Sequence, residues 1–282
     1  MYRILRKEEI ATNIHLFEIE APEVAKSARP GQFAIVRVDE KGERFPLTLA
    51  DWDEQTGIVT LVMQTIGVST EKMAELYIGD EIANLAGPLG IPSDIKLFGT
   101  VVCIAGGVGI APINPIARAL KNKGNEVITI MGARSEEFLF WEDNLRKSSD
   151  RLIITTDDGS YGHKARVTET LLELLKKQKI DLVIAIGPSI MMKFSSITTK
   201  PFGVKTIVNL NTIMVDGIGM CGSCRVSVAG ETKFTCVDGP EFDGHEVDWD
   251  NFMSRQKTYI HEEKIALDAR HSELSRVLLT EF

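Results

Sequence analysis

The sequence predicts three parts in series: an antiparallel β barrel, a doubly wound α/β domain built on a parallel sheet, and a small cysteine-bearing module. Residues 2–97 hold short apolar segments separated by turn signals, residues 99–210 alternate Val- and Ile-rich runs with helix-length stretches, and three cysteines crowd a glycine-rich segment beyond them. Closely spaced strands suit an antiparallel barrel or sandwich, whereas alternating strand and helix suits a parallel sheet covered on both faces. A chain of 282 residues has room for two domains and a small third. The expected divisions are 1–97, 98–210 and 211–250, with 251–282 as a C-terminal tail.

In the first part, Ile14 to Ala21, Phe33 to Asp39, Leu47 to Trp52 and Gly57 to Thr65 read as strands, bounded by Pro30-Gly31, Lys41-Gly42 and Asp53-Glu54-Gln55. Ser69 to Tyr77 reads as a helix because Met73, Leu76 and Tyr77 recur at helical spacing, with Ser69 or Thr70 as the N-cap. In the second part, Val101 to Ala105, Val127 to Met131, Leu152 to Thr155 and Leu182 to Ile186 read as buried parallel strands. Ile113 to Lys123 and Val167 to Lys177 have helical length and period. Asn211 to Asp250 has little periodicity, as expected of a metal-stabilised module. The charged remainder is read as partly helical, with a poorly ordered last dozen residues.

Composition narrows the function. Apolar residues at 44% and charged residues at 26% are ordinary globular values, which excludes a disordered or fibrous chain. A net charge of −8 argues against binding a nucleic-acid backbone. Leu97 to Ala117 is uncharged and long enough to span a bilayer, but its glycines together with Pro112 and Pro115 suit no continuous membrane helix. No membrane span is expected. Met1 to Ile10 mixes charged and apolar residues without a signal-like apolar core, so a cytoplasmic protein is expected.

The strongest motif is Asp216-Gly-Ile-Gly-Met-Cys221-Gly-Ser-Cys224, followed after eleven residues by Cys236. Closely spaced thiolates close on one metal centre, and glycines let the backbone wrap it. Three cysteines leave one ligand to find. Asp216 would complete a 2Fe-2S site and His245 a structural zinc site; free thiols in a core are the bland alternative. Gly106-Gly107-Val108-Gly109 follows a strand and opens a helix near Pro112, a turn that lets a pyrophosphate approach the backbone. Gly187-Pro188 after a later strand supplies a second loop at the same sheet edge. Arg44, Thr48 and Ser69 have the chemistry for a phosphate, a ring nitrogen and an anion respectively, although composition alone makes them turn residues. Cys103 lies mid-strand and reads as a buried, inert thiol. His15 and His163 read as incidental.

Taken together, Pro30-Gly31-Gln32-Phe33, Arg44 to Thr48, Gly87-Pro88-Leu89-Gly90, Gly106 to Pro112 and Gly187-Pro188 resemble the ferredoxin-NADP reductase superfamily, specifically its members that end in a 2Fe-2S module. The resemblance covers residues 1–240. It implies FAD on the barrel, contacted by Arg44, Pro46, Leu47 and Thr48, by Val62, Met63 and Gln64, and by Gly67, Val68, Ser69 and Thr70, with Thr48 beside the reacting ring. It implies NAD(H) at Gly106, Gly107, Val108, Gly109, Gly187 and Pro188. Three departures stand out. Phe45 occupies the usual arginine position, with Arg44 one residue earlier; Leu47 replaces the aromatic that often covers the flavin; and Ile186 replaces a cysteine found before Gly-Pro.

Within this superfamily the sequence is similar to two kinds of electron-transfer subunit. That of dihydroorotate dehydrogenase has four cluster cysteines; the small subunit of the electron-bifurcating, ferredoxin- and NADP-linked transhydrogenase has aspartate in place of the first. Asp216 matches the second. That resemblance implies oxidation of NADH at FAD and electron exchange, through a cluster on Asp216, Cys221, Cys224 and Cys236, with a larger flavin and iron-sulfur subunit in a heterodimer. Ferredoxin and NADP would react through that subunit. A nucleotide-binding regulator with a zinc-stabilised tail is the contrasting alternative. Arg134 and Ser135 against Glu136 and Glu137 leave the choice between NADH and NADPH open.

Overall fold

A computed structural model describes residues 2–280, with side chains as far as Ser272. The barrel comprises β1 (Tyr2–Ala11), β2 (Ile14–Glu20), β3 (Phe33–Arg37), β4 (Arg44–Asp53), β5 (Ile58–Gln64), β6 (Glu81–Ile82) and β7 (Asn84–Leu89), with helices α1 (Pro22–Ser27) and α2 (Val68–Glu75). Its strand order is β6-β1-β2-β5-β4-β3-β7. β6 and β7 are one stretch of chain interrupted at Ala83, the first part pairing with β1 and the second with β3. That stretch ties together both ends of the sheet and nearly closes the barrel.

Helix α2 begins one residue before the predicted Ser69, and Gly67 is its N-cap. Thr70 acts from within the first turn instead: its Oγ1 accepts the amides of Ile66 and Gly67, each at 3.0 Å, and donates to the Gly67 carbonyl at 2.8 Å. A hydroxyl inside the first turn thus replaces the cap expected from Ser69 or Thr70.

The α/β domain contains β8 (Thr100–Gly106), α3 (Ile110–Asn122), β9 (Glu126–Ala133), α4 (Glu142–Ser148), β10 (Arg151–Thr156), β11 (His163–Lys164), α5 (Val167–Lys177), β12 (Leu182–Ile186), α6 (Ser189–Thr199) and β13 (Thr206–Asn209). These strands form a parallel sheet in the order β11-β10-β9-β8-β12-β13. The uncharged stretch from Leu97 becomes a buried strand and helix. Among the described residues no helix is long and apolar enough to cross a membrane.

The C-terminal part contains β14 (Arg225–Val228), β15 (Glu231–Phe234), α7 (Thr235–Asp238), β16 (Glu241–Asp243), α8 (Trp249–Arg255) and α9 (Ile260–Thr280). β16 adds to the α/β sheet antiparallel to β13. Val226, Val228, Phe242, Trp249 and Phe252 share one hydrophobic core with the strands and α5. Helix α9 returns to the barrel, where Arg270 meets Glu75 of α2 at 2.6 Å. The expected disorder of the last dozen residues concerns side chains that, beyond Ser272, lie outside those described.

The barrel meets the α/β domain through an apolar seam. Ile14, Leu16, Ala50 and Val62 on the barrel's outer face pack with Val101, Ile110, Ile113 and Ile116. At its margin Arg118 of α3 donates to both carboxylate oxygens of Asp51, at 3.0 and 2.6 Å.

Candidate functional site

Strand β4 serves two neighbours. Residues 44–48 pair with β3, but from Leu49 onward the partner is β5. The two strands therefore diverge beyond the Leu49 and Leu61 pair, and the edge of Val62–Gln64 that faces β4 has no ladder partner there. Side chains alternate along a strand. Phe45, Leu47 and Leu49 turn toward the barrel core, which leaves Arg44, Pro46 and Thr48 together on the outer face. This parity bears on the displaced arginine: Arg44 shares a face with Thr48, whereas a side chain at position 45 does not. Met63 is buried in the barrel core and Val62 in the seam, so each has only its backbone to offer a ligand. Gln64 remains partly exposed, and the first turn of α2 follows directly.

The end of β5 abuts the turn Gly107–Gly109. Gly107 has φ +53° and open space where a Cβ would stand, so this residue presents bare backbone outward. Its neighbours are glycines for another reason. A Cβ on Gly109 would lie 2.1 Å from the Ile186 carbonyl, and one on Gly106 would lie 2.4 Å from Met191 Sδ. The Gly106–Gly109 and Gly187–Pro188 loops are thus locked together, and Gly109 serves strand-to-helix packing more than ligand approach. At the neighbouring strand end, Ser135 Oγ donates to Glu137 at 3.1 Å, and Ser160 Oγ accepts the Glu136 amide at 2.8 Å.

The cysteine loop lies on the outer face of β3 and β7, against Ile35 and Leu89. Cys224 and Cys236 are buried, carry no disulfide, and hold their sulfurs 3.2 Å apart. Burial, reinforced by Cys224, pushes the Cys236 thiol up to about 12. Asp216 folds its carboxylate back onto the loop, accepting the amides of Ile218 at 2.9 Å, Met220 at 3.1 Å and Cys221 at 2.6 Å. The Ile218 amide foremost, then that of Cys221, holds this carboxyl below the usual carboxylate range. Cys221 is exposed; partial burial opposes ionisation of its thiol, but the hydroxyl and amide of Ser223 outweigh it and lower the pKa. The four predicted ligands are therefore gathered on one loop system as two pairs, and among the described residues no three acidic, histidine or cysteine side chains converge on a point. Three thiols and a carboxylate, two of the thiols facing each other unbridged, suit an iron-sulfur cluster. His245 does not join them: its Nε2 lies 3.0 Å from Thr199 Oγ1 and its Nδ1 3.6 Å from Asp243. A zinc site with His245 as fourth ligand thus finds Nε2 engaged at Thr199 and the ring set beside Asp243.

Two features escaped the sequence reading. Phe33 and Ile35 pack with Met214, Cys224 and Cys236, joined by Leu89 and Phe234. The signal was present, since Phe33-Ala34-Ile35-Val36 shows none of the alternation of a strand with one face in water. The other is Glu241, whose carboxyl accepts the Ser93 hydroxyl at 2.5 Å and is pushed up to about 7 by burial. Cys103 is buried as expected, its thiol pushed up to about 12 by burial.

Comparison with known proteins bears on the same regions. Residues 211–248 match the model of the iron-sulfur cluster binding domain of dihydroorotate dehydrogenase B, and residues 103–196 match the oxidoreductase NAD-binding domain. The dihydroorotate dehydrogenase B (NAD(+)) electron transfer subunit homolog of Thermotoga maritima is 47% identical over 265 residues, covering 94% of each chain. The electron transfer subunit of Desulforamulus reducens is 31% identical over 88% of this chain and 97% of its own. The chain belongs to this electron transfer subunit family. As a member, it is an oxidoreductase subunit that works with FAD, an iron-sulfur cluster and NAD(H) within a multi-subunit complex. A chain from the structure of the NADH-dependent reduced ferredoxin-NADP oxidoreductase, described for flavin-based electron bifurcation, superposes with a TM-score of 0.91 at 46% identity, over 95% of this chain and 97% of that one. The family fold is thus a ferredoxin-NADP reductase-like barrel and α/β pair with an iron-sulfur module appended.

Proposed function

We propose that the chain is the small subunit of an electron-bifurcating transhydrogenase, passing electrons between NADH and a larger flavin and iron-sulfur subunit, with ferredoxin and NADP reacting on that partner. The observation that carries this reading is Asp216, held at the cysteine loop by the amides of Ile218, Met220 and Cys221, at the place where the resemblance implies an aspartate in the transhydrogenase small subunit and a cysteine in the dihydroorotate dehydrogenase subunit. The division at residues 97, 210 and 250 follows the three cofactor roles in this proposal, and the cytoplasm is the proposed compartment.

Bound FAD supplies the conversion between two-electron and one-electron chemistry that hydride donor and cluster require. The chain's own residues do the positioning. Arg44 and the first-turn amides at Val68 and Ser69 hold the flavin phosphates, Thr48 offers a hydroxyl to the ring, and the unpaired edge of Val62–Gln64 offers backbone groups. Gly107 would receive the nucleotide phosphates at the start of α3, and the contact of its turn with β5 sets that site beside the flavin-motif residues. Asp216, Cys221, Cys224 and Cys236 hold the cluster. Around it Val215, Ile218, Met220 and Val237 are exposed, Met220 to 81%, an apolar rim fitted to a protein partner.

A second reading, an electron-transfer subunit serving dihydroorotate oxidation, is favoured by the matched domain at 211–248. Isolation of the native complex, with flavin, iron and zinc analysis and a test of which reductant bleaches it, separates the two. Bleaching by NADPH or reduced ferredoxin supports the proposal. Bleaching by dihydroorotate alone replaces it with the second reading, and zinc without iron removes both.

A further inference from the structure

We propose that Phe33, flanked by Ile35 and Leu89, is the packed wall through which an electron passes between the flavin site and the cysteine site. This rests on the reading above, with flavin at Arg44–Thr48 and the cluster at Asp216, Cys221, Cys224 and Cys236. Strand β3 has two apolar faces. Ala34 and Val36 fill the barrel core, while Phe33 and Ile35, 4% and 2% exposed, point outward into the small core that contains Cys224 and Cys236.

The register places this wall beside the flavin motif. In the β3 to β4 ladder Phe33 is opposite Thr48 and Ile35 is opposite Pro46. Directly opposed residues point to one side of a sheet with Cβ atoms about 5 Å apart. One outer face therefore carries flavin-motif residues on β4 and cysteine-packing residues on β3. The far edge of β3 pairs Phe33 with Leu89. The cysteine loop seats directly on this wall: a Cβ on Gly217 would lie 2.6 Å from Ile35 Cγ1 and 2.8 Å from Leu89 Cδ1, leaving no room for intervening water. Electron tunnelling weakens steeply with distance and faster across a void than across packed atoms, so a filled wall one strand thick is the efficient route.

The electron count is balanced. NADH delivers a hydride, two electrons and a proton, to the flavin. Each electron then reduces one ferric ion of the cluster to ferrous, the cluster passing the first to a one-electron carrier of the partner subunit before accepting the second, and the flavin's proton leaves to solvent. Phe33 is a positioning residue here; it holds the cysteine loop against the flavin strand.

The test uses the complete complex, with rapid mixing against NADH, and compares wild type with Phe33→Leu and Phe33→Ala. Flavin reduction by NADH should be unchanged, and so should the midpoint potentials of both centres. Cluster reduction should slow about tenfold in Phe33→Ala, equivalent to about 1.4 kcal/mol of barrier, with Phe33→Leu between it and wild type. If Phe33→Ala sheds its cluster, Phe33→Leu decides: slowed cluster reduction supports the wall, and a wild-type rate overturns it. Full flavin and iron content with a wild-type cluster rate in Phe33→Ala overturns the role of Phe33 alone. Wild-type protein without flavin or without iron overturns the reading beneath it as well.

Discussion

In the proposed sites, Asp216 and Gly107 are the positions where one side chain, or its absence, would decide the chemistry. Thiolate donates to iron more strongly than carboxylate, so Asp216→Cys should retain a cluster with a shifted midpoint potential. An unmoved potential by redox titration would remove Asp216 from the ligand set. Gly107, at φ +53° with open space before it, admits asparagine, which tolerates the left-handed region at a cost of about 1 kcal/mol. Gly107→Asn should keep the fold and weaken NADH binding; calorimetry showing wild-type affinity would misplace the phosphates. Gly109→Val is the poorer probe. Its side chain would strike the Ile186 carbonyl, so the expected outcome is loss of folded protein whatever the ligand does. The sequence marked both glycines, but only the packing of the two loops separates the open glycine from the structural one.

At the scale of elements, helix α2 depends on Thr70, whose hydroxyl satisfies two amides at the turn entering its N-terminus. Thr70→Ala should cost about 1 kcal/mol, the usual loss for a cap, and should lower flavin content because the adjoining amides lose their fixed direction. Thermal melts and the flavin-to-protein absorbance ratio measure both, and unchanged flavin retention would place the phosphates elsewhere. Period and turn signals made most strands and Val167–Lys177 legible. The cap was not legible, since Ser69 and Thr70 carry the same chemistry and only backbone geometry assigns the role. The all-apolar run of Phe33–Val36 was equally visible, yet it says only that both faces are covered, not by what.

For the whole molecule, Glu241 joins parts far apart in sequence: it lies on β16 at the edge of the α/β sheet, and its carboxyl bonds Ser93 in the segment leaving the barrel. Burial holds its pKa near 7, against 4.5 as the ordinary value. The folded chain therefore binds this proton more tightly than the unfolded chain. Stability should fall as pH rises from about 4.5 to about 7 and stay level above, a loss of about 3 kcal/mol from this group. Glu241→Gln should remove that slope and be relatively more stable at pH 8, provided the amide keeps the Ser93 bond. Denaturant midpoints across this range measure it; an identical pH slope in both proteins would show that the carboxyl is not enclosed. The Arg118 and Asp51 pair spans barrel and α/β domain but is partly solvated. Arg118→Ala should cost only about 1 kcal/mol, and a larger loss in melting experiments would mean the pair organises the seam itself.

By itself the sequence determined what local physics writes into it: strand and helix periods, glycine turns at strand ends, thiols at metal-binding spacing, and an aspartate five residues before the first of them. Those features sufficed for three parts and three cofactors. Tertiary structure alone decided which faces meet. Register put Phe33 opposite Thr48, chain return put β16 on the α/β sheet and Glu241 against Ser93, and His245 was turned to Thr199 and away from the cysteines. Each depends on contacts between residues distant in the chain. Such contacts form only when several elements bury their apolar surfaces at once, so no single segment records them.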